Sequence, residues 1–211
     1  MDDAIWTVTL EQLSAQVARG PMPAAVSVTA ICAVLALDLA TMAIQVSARR
    51  ARGGGHDQTI VERIGLARTR LQRAADQDIS AYNDYLTQRR QAKSKPSAGA
   101  PQALEAALAR AIEVPLDVAE AATQGLLLCS QATAFTHPVV GADLAAALLL
   151  LDAAVQAALR SADANLELAD SQASMEALRG RRAVLTASAR QARDVARNAS
   201  LGAPRRPPSR S

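Results

Sequence analysis

The chain has 211 residues, half of them apolar, and only four are aromatic: Trp6, Tyr82, Tyr85 and Phe135. Close to a quarter of it is alanine, the best helix former and a poor strand residue, so a β-sandwich or barrel is excluded and an all-α fold is expected. Lys and Arg outnumber Asp and Glu by 23 to 20, but Arg205, Arg206 and Arg210 lie in the last eleven residues, which hold no acid. The rest of the chain is balanced, so the footprint of a nucleic-acid binder is missing.

In chain order, Thr9 is a plausible cap for a short amphipathic helix over 10–19, broken by Gly20-Pro21-Met22-Pro23. A long apolar helix is expected over 24–49, followed by a basic, glycine-rich loop at 50–55. It is long enough to span a bilayer, but it contains Asp38, Thr29, Thr41 and Gln45, which suits a helix enclosed by other helices better. The next helix, 57–90, places Ile60, Ile64, Ala67, Leu71, Ala75, Ile79, Tyr82 and Leu86 at three-to-four spacing. A polar connection at 93–101 precedes a helix over 102–134 that contains Pro115, where a kink is expected. A turn at 135–141 leads to helices over 143–169 and 172–198. Five long helices around a small-residue core make one domain of residues 1–200, with a basic, Pro-rich, disordered tail at 201–211. The helices at 24–43 and 142–158 lack bulky residues on most faces and need neighbours on several sides, which predicts a homodimer.

Cys32 and Cys129 sit in apolar helical runs without a pairing pattern and read as small core residues in a reducing compartment. The acidic N-terminus shows no signal peptide, so a cytoplasmic protein without membrane or nucleic-acid partners is expected. The glycines at 53–55 lack the Lys-Ser/Thr of a phosphate loop. His56 and His137 have no metal-ligand spacing, and Gly-x-Ser-x-Gly is absent, which argues against a zinc enzyme or triad hydrolase.

Carboxylates remain. Asp76 and Asp78 occupy the middle of a helix, about 200° apart, with Tyr82 and Tyr85 on the face of Asp78. In the bland reading one is solvated and the other is held by an arginine such as Arg73. Asp143 reads as a cap or first-turn acid. Asn165, among Ala and Leu, needs a partner from another helix or a ligand. Asp38 has no basic residue within a turn. It must be neutral, paired across helices, lining a polar crevice, or in contact with a ligand.

Four segments in order resemble the formimidoyltetrahydrofolate cyclodeaminase and methenyltetrahydrofolate cyclohydrolase family. They are PMPAAVSVTA at 21–30 for P-x-P-G-G-G-S-V-x-A, and ADQDISAYNDYL at 75–86 for D-A-D-A-x-A-F/Y-x-x-Y. AIEVPLDVAE at 111–120 stands for A-x-x-V-P-L-x-x-A-E, and residues 141–147 and 164–166 resemble the family's S-D-x-x-x-A and N-L helix. The resemblance implies an antiparallel helical dimer with a folate cleft. It also implies chemistry at the carbon bridging N5 and N10 of a tetrahydrofolate derivative, by ammonia loss or water addition, without metal. Asp76 and Asp78 fall on the family's paired acids, and Asp143 and Asn165 match polar pocket residues. Ser27 keeps the glycine-loop serine, and Arg49 and Arg50 stand where basic residues could meet the substrate's glutamate tail. The departures are Ala24, Ala25 and Val26 for three glycines, with Ala142, His137 and Ser161 for polar cleft residues and Asp38 for a small apolar one.

These residues give three readings. The first is a folate cyclohydrolase or cyclodeaminase, with Asp76, Asp78 and Asp143 doing the chemistry and Ser27, Asp38, Arg49, Arg50, Tyr82, His137 and Asn165 binding. The second is a divergent relative using the cleft on another iminium or amine substrate. The third is a non-catalytic helical binding protein.

Overall fold

A computed structural model describes residues 5–51, 58–94, 99–169 and 175–202. The basic loop at 52–57 and the tail from 203 lie outside the described residues. Among them six α-helices run in order: α1 Leu10–Arg19, α2 Ala25–Arg50, α3 Gln58–Ser94, α4 Ala100–Ala132, α5 Gly141–Leu166 and α6 Glu176–Gly202. Among the described residues there is no strand.

Local chemistry sets the ends. Thr9 and Gln12 cap α1 reciprocally: Gln12 N–H donates to Thr9 Oγ1 at 3.2 Å, and Thr9 N–H to Gln12 Oε1 at 2.8 Å. Gly20 stops α1 with φ +54°, a backbone state that side chains disfavour. α3 continues four residues past the expected end because Gln91, Ala92 and Lys93 favour helix and no breaker comes before Pro96. The expected turn at 135–141 is two short 3₁₀ turns, Thr133–Phe135 and Pro138–Val140, joined at Thr136 and His137.

α4 is the hub, packed against α2, α3, α5 and α6, while α2 also packs against α3 and α5. The layers meet through small residues, with Ala30, Ala33, Ala36, Ala40 and Ala43 of α2 completely buried. Gly125 of α4 marks the closest approach. A Cβ there would stand 2.7 Å from Leu37 Cδ2 and 3.5 Å from Leu151 Cδ2. On α6 the buried positions Leu185, Ala189, Ala192 and Ala196 repeat at four, three and four residues, a single stripe on the bundle.

α2 and the stretch Pro138–Leu166 are long and apolar enough to cross a membrane. Half of the apolar window of α2 is buried inside the bundle. Its open side is apolar as well: Val28, Ile31, Cys32, Leu35, Leu39, Met42 and Val46 fall on one stripe, and Leu35 is 58% exposed. Cys129 is buried as expected, and burial pushes its thiol up to about 12. Cys32 corrects its sequence reading: it is exposed, because its helical position faces outward on this stripe.

Replacing Gly125 by Val should overpack the α2–α4–α5 contact and cost about 1–3 kcal/mol, read as a lower midpoint in urea with an unchanged slope.

Candidate functional site

The turn into α2 and the middle of α3 meet through Ser27 and Asp78. Ser27, fully buried in the first turn of α2, donates Oγ–H to Asp78 Oδ2 at 2.6 Å and its backbone N–H to the same oxygen at 3.0 Å. Burial raises the Asp78 carboxyl above its ordinary value of 3.8, against the lowering effect of these two bonds. The Ser27 hydroxyl also lies 3.2 Å from the Ala75 carbonyl. That second acceptor lets the pair change protonation state without leaving a polar atom unpaired. With Asp78 ionised, Ser27 donates to it; with Asp78 protonated, the acid donates to Ser27 Oγ and the hydroxyl turns to Ala75.

Asp76 points elsewhere and accepts the backbone N–H of Ile5 at 3.0 Å. Among the described residues neither acid of the pair is bonded to an arginine: Asp76 is met by a backbone amide, and Asp78 by a backbone amide and a hydroxyl. Asp38 bridges two helices: its oxygens accept from Arg68 Nε at 2.6 Å and Nη2 at 3.3 Å, with Arg68 Nη1 held by Gln72 Oε1 at 2.9 Å. Of the four alternatives open from sequence, pairing across helices is the one observed. Tyr82 is half-buried on α3, beside the buried Tyr85.

Asn165 has a structural partner with a definite cause. Pro115 has no N–H to give the carbonyl four residues back, which is that of Ala111. Asn165 Nδ2 donates to that carbonyl at 2.7 Å, so α5 supplies the bond that α4 cannot make itself. α4 accordingly runs unbroken from 100 to 132.

The remaining sequence candidates lie at the opposite end. His137 caps the second 3₁₀ turn, taking Val139 N–H on Nδ1 at 3.2 Å, while its own N–H donates to Ser47 Oγ at 2.8 Å. Arg49 and Arg50 are exposed at the end of α2, and Asp143 sits in the first turn of α5. Ser27 and Ser47 are twenty residues apart on one helix, about 30 Å. Within one chain the ten candidates therefore form two groups: Ser27, Asp76, Asp78, Tyr82 and Asn165 at one end, and Arg49, Arg50, His137 and Asp143 at the other, with Asp38 between.

A cleft of about 380 Å³ opens between α3 and α4, lined by Gln77, Ser80, Asp84, Arg110, Glu113 and Asp117 among others. None of the ten candidates lines it. An ion pair between Asp84 and Arg110 crosses it, and the Arg110 hydrogen bond holds the Asp84 carboxyl below its usual range. Deeper along α4, Arg181 of α6 binds Asp117 at 2.6 Å and Glu120 at 2.7 Å; that bond to Arg181 lowers the Glu120 carboxyl. The missed signal was periodicity. Positions 77, 80, 81, 84 and 110, 113, 114, 117 each trace one helical face, polar except at the buried Ala81 and Val114. Among the described residues no group of His, Cys, Asp and Glu could hold a metal ion.

The chain matches the formiminotransferase-cyclodeaminase family over residues 9–183. It belongs to that family. Among solved structures it is similar to formiminotetrahydrofolate cyclodeaminase from Thermotoga maritima, at 21% identity and a TM-score of 0.79, covering 94% of this chain and 98% of that one. At that identity the likeness establishes the helical fold. No curated protein matches the chain significantly. In this cyclodeaminase-family chain the altered loop is unstrained. Ala24 is extended at φ −121°, Ala25 and Val26 are the first residues of α2, and no described non-glycine residue has positive φ. The buried Val26 side chain fills room that a glycine would leave open.

Asn165→Ala should cost about 1–3 kcal/mol in native Pro115 protein, by orphaning a carbonyl, and markedly less beside Pro115→Ala. Equal costs in the two backgrounds, measured by urea unfolding, would remove the coupling.

Proposed function

We propose that this chain is an enzyme of reduced-folate one-carbon chemistry, a cyclohydrolase or cyclodeaminase, with Asp78 as its proton-transfer group. The observation that carries this reading is the Ser27–Asp78 pair: a carboxyl lifted by burial, with a hydroxyl that can serve either protonation state. Ammonia loss needs an acid to protonate the departing nitrogen, and water addition at the bridging carbon needs a base to take a proton from water. A carboxyl raised toward neutrality suits both tasks. Family membership supports the folate substrate. The filled loop at Val26 favours a second reading, in which the same site takes a related iminium or amine substrate.

The two groups of candidates are reconciled by a second copy. α2 carries an open apolar stripe along its length, and two copies packed antiparallel on it bring the Arg49–Arg50 end of one to the Ser27–Asp78 end of the other. In this reading the site is shared between subunits, in a reducing cytoplasmic setting that leaves Cys32 and Cys129 as free thiols. A light-scattering mass of two chains is expected, falling to 22.0 kDa for Leu35→Lys. A wild-type monomer at micromolar concentration would overturn the shared site.

The enzyme reading is tested on Asp78. Purified protein should accelerate the loss of methenyltetrahydrofolate absorbance, and Asp78→Asn should abolish it; no rate above buffer refutes the folate substrate. The same variant has a signed effect on stability. Because the folded pKa is raised, the contribution of Asp78 is intact below 3.8 and is lost as pH rises through the folded value. Asn mimics the neutral acid, so Asp78→Asn should be more stable than wild type at pH 7, with the difference vanishing below about pH 4.

A further inference from the structure

The two paired acids of α3 each hold one end of the same stretch of chain. Asp76 takes the N–H of Ile5, and Asp78 takes the N–H and hydroxyl of Ser27. Between these points the chain rests lightly on the bundle, with Leu13 of α1 packed partly against the core. α1 buries no residue, stands outside the packed helix pairs, and satisfies its own first turn through Thr9 and Gln12. It ends at Gly20, the one described position with positive φ, at the corner just before α2.

The Ile5 end is an anchor. Ile5 is 6% exposed and part of the core, although it precedes the first helix. Next to it the Trp6 indole N–H donates to the Gln72 carbonyl at 3.1 Å, one turn before Asp76. Gln72 is also the residue that steadies Arg68 against Asp38. The arch is therefore fixed at two feet and held between them by few buried contacts, the arrangement from which lids are drawn.

We infer that Asp76 is a positioning residue: its carboxylate latches the arch of residues 5–24 over the Ser27–Asp78 pair, and substrate enters when this latch releases. The inference rests on the reading of Asp78 as the proton-transfer group, but the latch itself can be measured without substrate. In this division Asp78 handles protons, while Asp76 is held to the chain and works through it. A backbone N–H can be offered to an amide oxygen as well as to a carboxylate, so asparagine at 76 preserves the latch and alanine does not.

Trp6 is the only tryptophan in the protein, which makes it a reporter of the closed arch. In full-length protein, Asp76→Ala is expected to red-shift Trp6 emission, raise its quenching by acrylamide, and speed tryptic cleavage after Arg19 about tenfold or more. Asp76→Asn should return all three signals to wild type and recover the turnover lost in Asp76→Ala. Ile5→Asp, which leaves α3 untouched, should open the arch in the same way, with circular dichroism confirming an intact bundle. The inference is overturned if Trp6 emission and the rate of cleavage after Arg19 stay at wild-type values in both Asp76→Ala and Ile5→Asp. It is also overturned if Asp76→Asn keeps Trp6 protected yet loses turnover, since Asp76 would then be exchanging protons itself. If no variant or wild type turns over folate, the emission and cleavage results still decide the latch.

Discussion

The constraint on which everything else depends is the small size of the side chains between helices. An alanine methyl gains only about 0.8 kcal/mol on burial, a fraction of what leucine contributes, so a core built on alanine must bring helix axes close and cover each helix on many sides. α4 achieves this with four neighbouring helices, and Gly125 shows how little room is left, with Leu37 seated almost against its backbone. α2 does not achieve it within one chain. Its inner side is closed and its outer stripe, Val28 through Val46, stays open. The same economy that builds the bundle thus leaves an apolar stripe on the outer side of α2.

Close-packed helices leave few places for polar groups, and those present sit at the seams. Asp38 and Arg68 join α2 to α3, Asp84 and Arg110 join α3 to α4, and Asp163 and Asp152 join α5 to Arg182 and Arg193 of α6. These pairs are partly exposed, and such pairs contribute little stability each; their effect is to fix which residues face each other across a seam. Asn165 does the same inside the bundle, tying α5 to the one carbonyl that Pro115 deprives of its bond. The Ser27–Asp78 pair depends on this alignment. Ser27 meets Asp78 only because α2 and α3 run antiparallel in the register that also pairs Asp38 with Arg68.

Much of this was legible in the residues. The five long helices and the short first one came from the spacing of apolar positions and from Thr9, Gly20 and the prolines, all short-range signals. The family came from four motifs in order, and the match over residues 9–183 agrees with it. Less legible were the helix ends near 94 and 141, where propensity competes with a turn a few residues away. Cys32 was misplaced because a helix apolar on every side gives no clue to which side faces out.

The sequence by itself determined an all-helical chain, a pair of acids in the middle of one helix, and a polar amide that had to find a partner. Periodicity and capping act over a few residues, so they need nothing from the rest of the fold. Tertiary structure decided what those groups touch. Asp76 and Asp78, neighbours in sequence, separate because a helix turns 100° per residue, and each meets a backbone amide from a different part of the chain. It also decided that Arg49, Arg50, His137 and Asp143 lie about 30 Å from Ser27, since a straight helix holds its two ends apart. Partners of that kind are set by packing register, which no local pattern encodes.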